Sequence, residues 1–300
     1  MELSVVVPTL NGREQLARTL DSVSEHVAGT EVIVVNGPSA DGTTGMVRDR
    51  EDVDVLVEIA DRPTNAARNA GIDHATGDAI AFVNQGSAVT DEWERAIRAG
   101  LREAPIVTGP THRRVRAGKT TECTEAQTVA GRTVTYVNPD NVVLTQRVLT
   151  DLDGFDEYLT VDDARDLSHR AAGMNRAVSW RSDMAVERPM GADGGTTETD
   201  WNREYRSVAY RLAKNYGLRP AVIASITQRA LSDARSALRD VFAGEKPATD
   251  WFSSGRGVVA GVPVGFKDGL AARARDRSDR RNPRGQSTRR NRAVAVYDSR

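Results

Sequence analysis

The residues of this chain best placed to do chemistry sit in three polar turns, each released by an apolar run. Pro8-Thr9-Leu10-Asn11-Gly12 follows Leu3 to Val7, Asn36 to Gly42 follows Glu31 to Val35, and Asn84 to Ser87 follows Ala79 to Val83. In open α/β sheets a ligand lies beyond the carboxyl ends of the strands, so these turns are the candidate floor of a substrate site. None holds the Gly-x-Gly-x-x-Gly of a dinucleotide binder or the Gly-Lys-Ser/Thr of a P-loop, which argues against hydride transfer and nucleotide hydrolysis. His26, His74, His112 and His169 are scattered and Cys123 stands alone, so no zinc set is readable. A Gly-x-Ser-x-Gly nucleophile elbow is also missing.

The elements that must position these turns repeat with a regular beat through residue 110. Leu16, Leu20, Val23 and Val27 fall on one helical face directly after the first turn. A short helix through Met46 and Val47, a strand from Val53 to Val57, a helix from Thr64 to Ala75 and a helix from Asp91 to Leu101 continue the pattern, with Ile106-Val107 as a further strand. Strands separated by helices imply right-handed crossovers and a mostly parallel sheet, an α/β fold. From Thr111 to Thr133 the beat is lost in a polar, Arg- and Thr-rich loop region. Strand-like composition returns from Thr133 to Leu144. Gly154-Phe155-Asp156-Glu157 then turns into a helix from about Asp162 to Gly173, and Ala177 to Trp180 reads as one more strand.

Order and spacing over residues 3–185 resemble the inverting family 2 glycosyltransferases of the GT-A fold. The segments that carry the likeness are Val5-Val6-Val7-Pro8-Thr9-Leu10-Asn11-Gly12, Val32 to Val35 with Ser39-Ala40-Asp41-Gly42-Thr43, and Ala67-Arg68-Asn69-Ala70-Gly71. Gly77-Asp78-Ala79-Ile80-Ala81-Phe82-Val83, Gly154-Phe155-Asp156-Glu157 and Asp166-Leu167-Ser168-His169-Arg170 complete the set. The resemblance implies a Rossmann-like nucleotide-binding sheet with an acceptor subdomain. It also implies that Pro8, Thr9 and Asn11 line the base and ribose, with Gly12 in the same turn, that Asn36 reaches the base, that Arg68 lies near the phosphates or ribose, and that Asn84 touches the nucleotide sugar. A guanidinium there would pair two diphosphate oxygens; the plainer reading of Arg68 is a helix-surface residue, and of Pro8 and Gly12 a tight turn. A general base is implied just before the Asp-Leu-Ser-x-Arg helix, where this chain has Asp162 and Asp163; either also suits a helix N-terminus.

Two departures matter. Relatives usually carry an acidic residue at the place of Asn36, and an Asp-x-Asp that binds Mg²⁺ or Mn²⁺ where this chain reads Asn84-Gln85-Gly86. The family implies that metal cofactor, but an amide and a glycine remove two charged oxygen ligands from it. Leaving-group stabilisation then falls to arginines, or the chain is a catalytically silent GT-A module that binds a glycan or a partner transferase.

The C-terminal third has its own signals. Trp201, Tyr205, Val208 and Leu212 form one stripe of a helix from Trp201 to Tyr216, flanked by Arg203, Arg206, Arg211 and Lys214. Aromatic anchors beside cations suit a helix at a lipid interface, and packing on the body explains the stripe equally well. A second helix spans about Ala221 to Phe242. Trp180 and Trp201 could stack on a sugar ring, though core packing is the simpler reading. Gly191 to Gly195, with Asp193, reads as a loop or a lid. The chain is expected to divide into 1–110 (nucleotide-sugar half), 111–200 (acceptor half), 201–245 (helical extension, facing a membrane or the body) and 246–300 (Gly-rich segment and basic tail, in part disordered).

The 300 residues have a formal charge of −1, unevenly spread: Ala271 to Arg300 holds ten Arg against three Asp, so the body is acidic and the tail basic. That tail is too charged and too poor in large apolar side chains to fold alone. It adds attraction to an anionic surface, whereas nucleic acid is disfavoured because only Tyr297 interleaves an aromatic. Lys119, Lys214, Lys246 and Lys267 are the only lysines among 41 basic residues, a bias that suits concentrated salt or a GC-rich genome. The single cysteine excludes an internal disulfide and is compatible with a reducing cytosol. No run of about 18 apolar residues is present and the polar N-terminus is not a signal peptide, which leaves peripheral contact with the inner face of a cell membrane. The Arg-rich make-up and helical extension resemble archaeal family 2 transferases acting on dolichyl-phosphate-linked sugars in N-glycosylation of surface-layer glycoproteins. The resemblance therefore implies a nucleotide-sugar donor carrying a hexose or hexuronic acid and a lipid-linked glycan acceptor.

Overall fold

The computed structural model describes residues 1–115, 118–121, 124–161, 163–189, 200–242 and 248–300. Strands β1 (Leu3–Thr9), β2 (Glu31–Asn36), β3 (Val55–Ile59) and β4 (Ala79–Val83) alternate with helices α1 (Arg13–His26), α2 (Thr43–Arg48) and α3 (Thr64–His74). Then come β5 (Ala88–Val89), α4 (Trp93–Glu103), β6 (Ile106–Thr108), β7 (Thr111–Val115), β8 (Gly118–Thr121), β9 (Glu125–Val129), β10 (Arg132–Tyr136) and β11 (Asn141–Thr145). Helices α5 (Gln146–Leu152) and α6 (Asp163–Gly173) precede β12 (Val178–Trp180) and β13 (Val186–Arg188). Helices α7 (Trp201–Tyr216), α8 (Pro220–Phe242) and α9 (Ala248–Arg275) lead to the last strand, β14 (Ala293–Asp298).

Eight strands form the main sheet in the order β12-β6-β11-β4-β1-β2-β3-β14. Its centre, β4-β1-β2-β3, is parallel, while β11 and β14 run antiparallel to their neighbours. Both faces are covered, which is why the strands read as continuous apolar runs rather than alternating ones. Val6, Ile33, Val35, Ile80 and Phe82 pack under α3, α5 and α6. Val5, Val7, Val32 and Val34 pack with Leu16, Leu20, Trp93 and Ile97 of α1 and α4. The period of two sorts neighbouring valines to opposite layers.

Three features differ from the sequence expectation. The polar stretch 111–133 is not simply loop: β7 and β8 join β5 and β13 in a four-stranded sheet, and β9 pairs with β10. Four of the five residues of β9 are exposed, so no buried pattern marks it. The Gly-rich segment is helix α9. Gly257, Gly261, Gly265 and Gly269 recur at every fourth residue and lie against α7, where a Cβ at Gly265 would stand 2.9 Å from Ala209 Cβ. Only a glycine seam lets the two backbones approach so closely. The aromatic stripe of α7 is buried by this crossing, with Tyr205, Val208 and Leu212 clustered with Val222 and Ile226 of α8 and with Val258, Val262 and Phe266 of α9. That stripe therefore faces protein, not lipid.

The third difference is the tail, which does not fold alone but folds onto the body. β14 adds to the edge of β3, and Arg292 is buried with its guanidinium on Glu157 and 3.8 Å from Asp73. Arg289 pairs with Asp61 at 2.7 Å and Arg300 with Glu31 at 2.6 Å. Basic tail meets acidic body.

Candidate active site

The turns at the carboxyl ends of β1, β2, β3 and β4 enclose a cleft of about 240 Å³. Pro8, Thr9 and Leu10 form its β1 side, Gly37 its β2 side, Asp61 and Arg62 the side beyond β3, and Asn84 and Gln85 the side beyond β4. Thr64 and Ala67 of α3 close one wall, and Arg188 of β13 reaches in from the second sheet. Arg62 is exposed at the lip.

The turns are stitched to one another. Gly37 N–H donates to the Thr9 carbonyl at 2.9 Å. Asn11, at φ +50°, donates its N–H to Ser39 Oγ (2.9 Å) and accepts from Ala40 N–H (2.8 Å). Asp41 accepts from Arg13 N–H at 3.0 Å. Asn36 is buried, donating to Thr44 Oγ1 (3.0 Å) and accepting from Ser39 Oγ (2.7 Å). Gly12 caps α1 and lies under the Gln85 side chain, where a Cβ would collide with the amide. Of the seven residues expected to touch a nucleotide sugar, Pro8, Thr9 and Asn84 thus line the cleft. Asn11, Gly12 and Asn36 stand behind it as the hydrogen-bonded frame, and Gly37 takes the place expected for Asn36.

Arg68 is buried behind the wall formed by Ala67 and does not itself line the cleft. Only 1% exposed, it donates to Asn65 Oδ1 (3.0 Å) and to the Pro139 carbonyl (2.9 Å), with its guanidinium over the Phe155 ring. Its neighbours on α3 explain why the motif is shared with the Gly-Phe-Asp-Glu turn. Asn69 exchanges hydrogen bonds with both backbone groups of Phe155 (2.8 and 2.9 Å), and Asn65 donates to the Asp156 carbonyl at 2.8 Å. The helix motif clamps the turn that leads into α6. The cations at the cleft are instead Arg62 and Arg188. The first could have been found by treating the turn after β3 like the other three; the second lies on a three-residue strand with no periodic signal.

Asp162 lies outside the described residues, as do Cys123 and 191–195 with Asp193. Asp163 is the first residue of α6, at the end of the segment that follows the clamped turn. Trp180 is half-buried on the sheet edge, and Trp201 packs at the α7–α9 crossing.

Beneath this region lies an ionic cluster that sequence reasoning missed. Lys214 of α7 is fully buried and donates to Asp156 Oδ2 (2.5 Å) and Asp166 Oδ2 (2.8 Å). Arg170 donates to Asp166 (2.8 Å) and to the carbonyls of Leu152 and Gly154. Burial alone would raise the Asp166 carboxyl; Lys214 and Arg170 overcome it and hold the group well below the ordinary carboxylate range. Beside it, burial together with the nearby Arg211 pushes the His169 imidazole well below its usual value, so it is neutral. Its Nδ1 lies 2.7 Å from Tyr216 Oη. These groups pin α7 to α6 and to the turn at Asp156.

Comparison with known proteins agrees with this geometry. Residues 4–152 match the family model described as glycosyl transferase family 2. A curated relative, glycosyltransferase AglE of Haloferax volcanii, is 29% identical over 103 residues, 32% of this chain and 34% of that protein. Another, glycosyltransferase GlyA of Streptococcus pneumoniae, is 27% identical over 96 residues, 31% of this chain and 13% of that protein, so this chain spans only 34% and 13% of the two relatives' lengths. Among solved structures, S. aureus TarS 1-349 in complex with UDP-GlcNAc superposes with a TM-score of 0.63 at 19% identity, covering 98% of this chain and 93% of that one. A mannosyltransferase from Pyrobaculum calidifontis, with GDP-Man and Mn²⁺, gives 0.57 at 16% identity over 89% and 87%. With the strand-end cleft and the clamped turn in one continuous fold, residues 4–152 form a domain of the family 2 glycosyltransferase type, and the chain as a whole has the GT-A fold.

Proposed function

We propose that the chain transfers a sugar, a hexose or hexuronic acid, from a nucleoside-diphosphate donor to a lipid-linked glycan, with inversion at the anomeric carbon. The observation that carries this reading is the cleft, which puts Arg62 and Arg188 at the edge of a floor made by Pro8, Thr9 and Gly37. A base and ribose suit the turn backbones; a diphosphate suits paired guanidinium groups. In the reaction the acceptor hydroxyl attacks the anomeric carbon, its proton passes to Asp162 or Asp163, and the bonding pair of the donor linkage leaves on the diphosphate. The Asp162→Asn and Asp163→Asn variants test this assignment: the base should lower turnover about 10²–10⁴-fold without loss of fold, and full rate in both would remove it.

The acceptor reading rests on α8. Ile223, Leu231 and Leu238 are exposed along it, Leu218 is exposed just before it, and Arg235 lines the same shallow groove as Ile223 and Leu231. An apolar strip edged by cations suits the interface of an anionic bilayer. No helix among the described residues is long and apolar enough to cross a membrane, so the contact is peripheral, and a dolichyl-phosphate-linked oligosaccharide of surface-layer N-glycosylation is the acceptor class we favour. Turnover of UDP- and GDP-sugars on a polyprenyl-phosphate-linked acceptor in vesicles checks both halves. A second reading, a silent module that binds donor or glycan without transfer, is favoured by Asn84-Gln85-Gly86. Nucleotide-sugar binding with no turnover on any acceptor would select it.

A further inference from the structure

We infer that Arg188 stands where a divalent cation would otherwise neutralise the donor diphosphate, with Asp140 as its positioning residue. The inference rests on the donor site proposed above.

The metal does not fit the residues present. Asn84 donates its amide to Asp140 Oδ1. Gln85 is turned back, its Oε1 accepting from Thr9 Oγ1 (2.5 Å) and Leu10 N–H (3.1 Å). Gly86, at φ +81°, carries no side chain, and its N–H donates to Thr19 Oγ1 at 2.9 Å. None of the three offers a carboxylate. Among the described residues, Asp140 is the carboxylate in contact with Asn84; it is only 7% exposed, and Arg188 Nη1 donates to its Oδ2 at 2.9 Å while Arg113 lies 3.8 Å from the same oxygen. Among the described residues no group of three or more His, Cys, Asp or Glu is arranged to hold a metal. A hard cation wants six or more oxygens, several of them charged. Here one carboxylate already serves two guanidinium groups, which occupy the oxygen a cation would need.

The same contacts make Arg188 a fixed charge. Its strand is bonded to β5 on one side and β7 on the other. Asp140 is itself held: its N–H donates to Asn138 Oδ1 (3.0 Å), and Asn138 donates to the Gly109 carbonyl (2.9 Å) and Thr111 Oγ1 (2.8 Å). A guanidinium so anchored beside the cleft needs little reorganisation as charge develops on the leaving group, which is the condition for electrostatic catalysis. When the anomeric carbon–oxygen bond breaks, the pair collects on the terminal phosphate, and Arg188 meets that charge with Arg62 across the cleft.

The test is calorimetric binding of UDP and GDP to the full chain, in EDTA and in Mn²⁺, beside the phosphate-free nucleosides. Affinity for the preferred diphosphate should agree within about twofold between EDTA and Mn²⁺. Arg188→Ala should weaken it at least tenfold and leave nucleoside binding unchanged, which a merely structural role would not produce; Arg188→Lys, which keeps the charge and guards against misfolding, should fall between. Asp140→Asn should weaken diphosphate binding less than Arg188→Ala. Diphosphate binding that vanishes in EDTA overturns the inference and leaves the donor site standing. So does unchanged binding in Arg188→Ala and Arg188→Lys. Failure of every nucleotide to bind under either condition overturns the donor reading, and the inference with it.

Discussion

Alanine at Gly265 and alanine at Gly255 should shift stability in opposite directions, although both lie in α9. At Gly265 an added Cβ would stand 2.2 Å from the Arg206 carbonyl oxygen and 2.9 Å from Ala209 Cβ. Carbon atoms settle at about 3.5–4.0 Å and a carbon and a carbonyl oxygen at about 3.3 Å, so α9 must retreat from α7 by roughly 1 Å along a tightly packed seam. Overpacking of this kind costs about 1–3 kcal/mol, and the helix propensity of alanine over glycine returns only about 1. Because the nearest contact is backbone and cannot swing away, the cost lies at the upper end, and the net is a loss of about 2 kcal/mol. At Gly255 nothing lies within 4 Å of the new atom, so only the propensity remains, a gain of about 0.5–1 kcal/mol. Urea and thermal unfolding followed by circular dichroism read both, at roughly 2 °C per kcal/mol for a chain of this size. If Gly265→Ala unfolds at or above the parent's midpoint, the seam is not what brings these helices together.

Three other outcomes follow from buried charge. Lys214→Met leaves Asp156 and Asp166 without their shared cation and should cost about 3–5 kcal/mol; adding Asp166→Asn should recover part of it, and denaturant midpoints of single and double variants measure the coupling. His169 has a lowered pKa in the fold, so its contribution is fully present above the unfolded value near 6.5 and is lost as pH falls below it. The groups facing it are Tyr136, Tyr216, Asp166 and the arginines 132, 165 and 211. Stability should therefore drop between about pH 6.5 and 5 with a slope of up to ~1.4 kcal/mol per pH unit, and His169→Gln should flatten that stretch of the unfolding profile. Arg292→Ala removes the guanidinium from Glu157 and from the vicinity of Asp73 and should cost about 2–3 kcal/mol, seen as a lower midpoint and faster amide exchange in β14.

What the sequence made legible is the part where one physical rule acts alone. The apolar runs of β1 to β4 are buried on both faces, their turns fall at the carboxyl ends, and the cleft is there. Rules in competition hid the rest. Glycine in a helix costs about 1 kcal/mol relative to alanine, so the segment of α9 reads as loop until the spacing of four is recognised as a crossing surface. Strand β9 has four of its five residues exposed and so prints no alternating pattern. Arg68 shows the limit of motif reasoning: its place in Ala-Arg-Asn-Ala-Gly was readable, but the same residue type binds a phosphate or a carbonyl, and only packing against Phe155 and Pro139 decides. Arg188 acquires its position from β5, β7 and Asp140, all distant in the chain.

The tail and the donor cleft share one electrostatic logic. A basic tail drawn to a distant anionic surface would rely on charge acting over the Debye length, which shrinks to about 3 Å in molar salt. The tail seen here relies on contact instead: Arg292 is buried, and Arg289 and Arg300 pair at 2.7 and 2.6 Å. The buried pair, out of reach of counterions, persists where steering fails; the two exposed pairs add little by themselves. Because Arg289 binds Asp61, the neighbour of Arg62 at the cleft lip, the strand-and-tail edge reaches the donor side of the site. Helix α9, at the other end of the same segment, packs on α7 and through it on Lys214 and the turn at Asp156. One stretch of chain thus braces the nucleotide-facing loops and the turn that leads into α6. Salt strong enough to dissolve a membrane-steering tail would leave that brace in place.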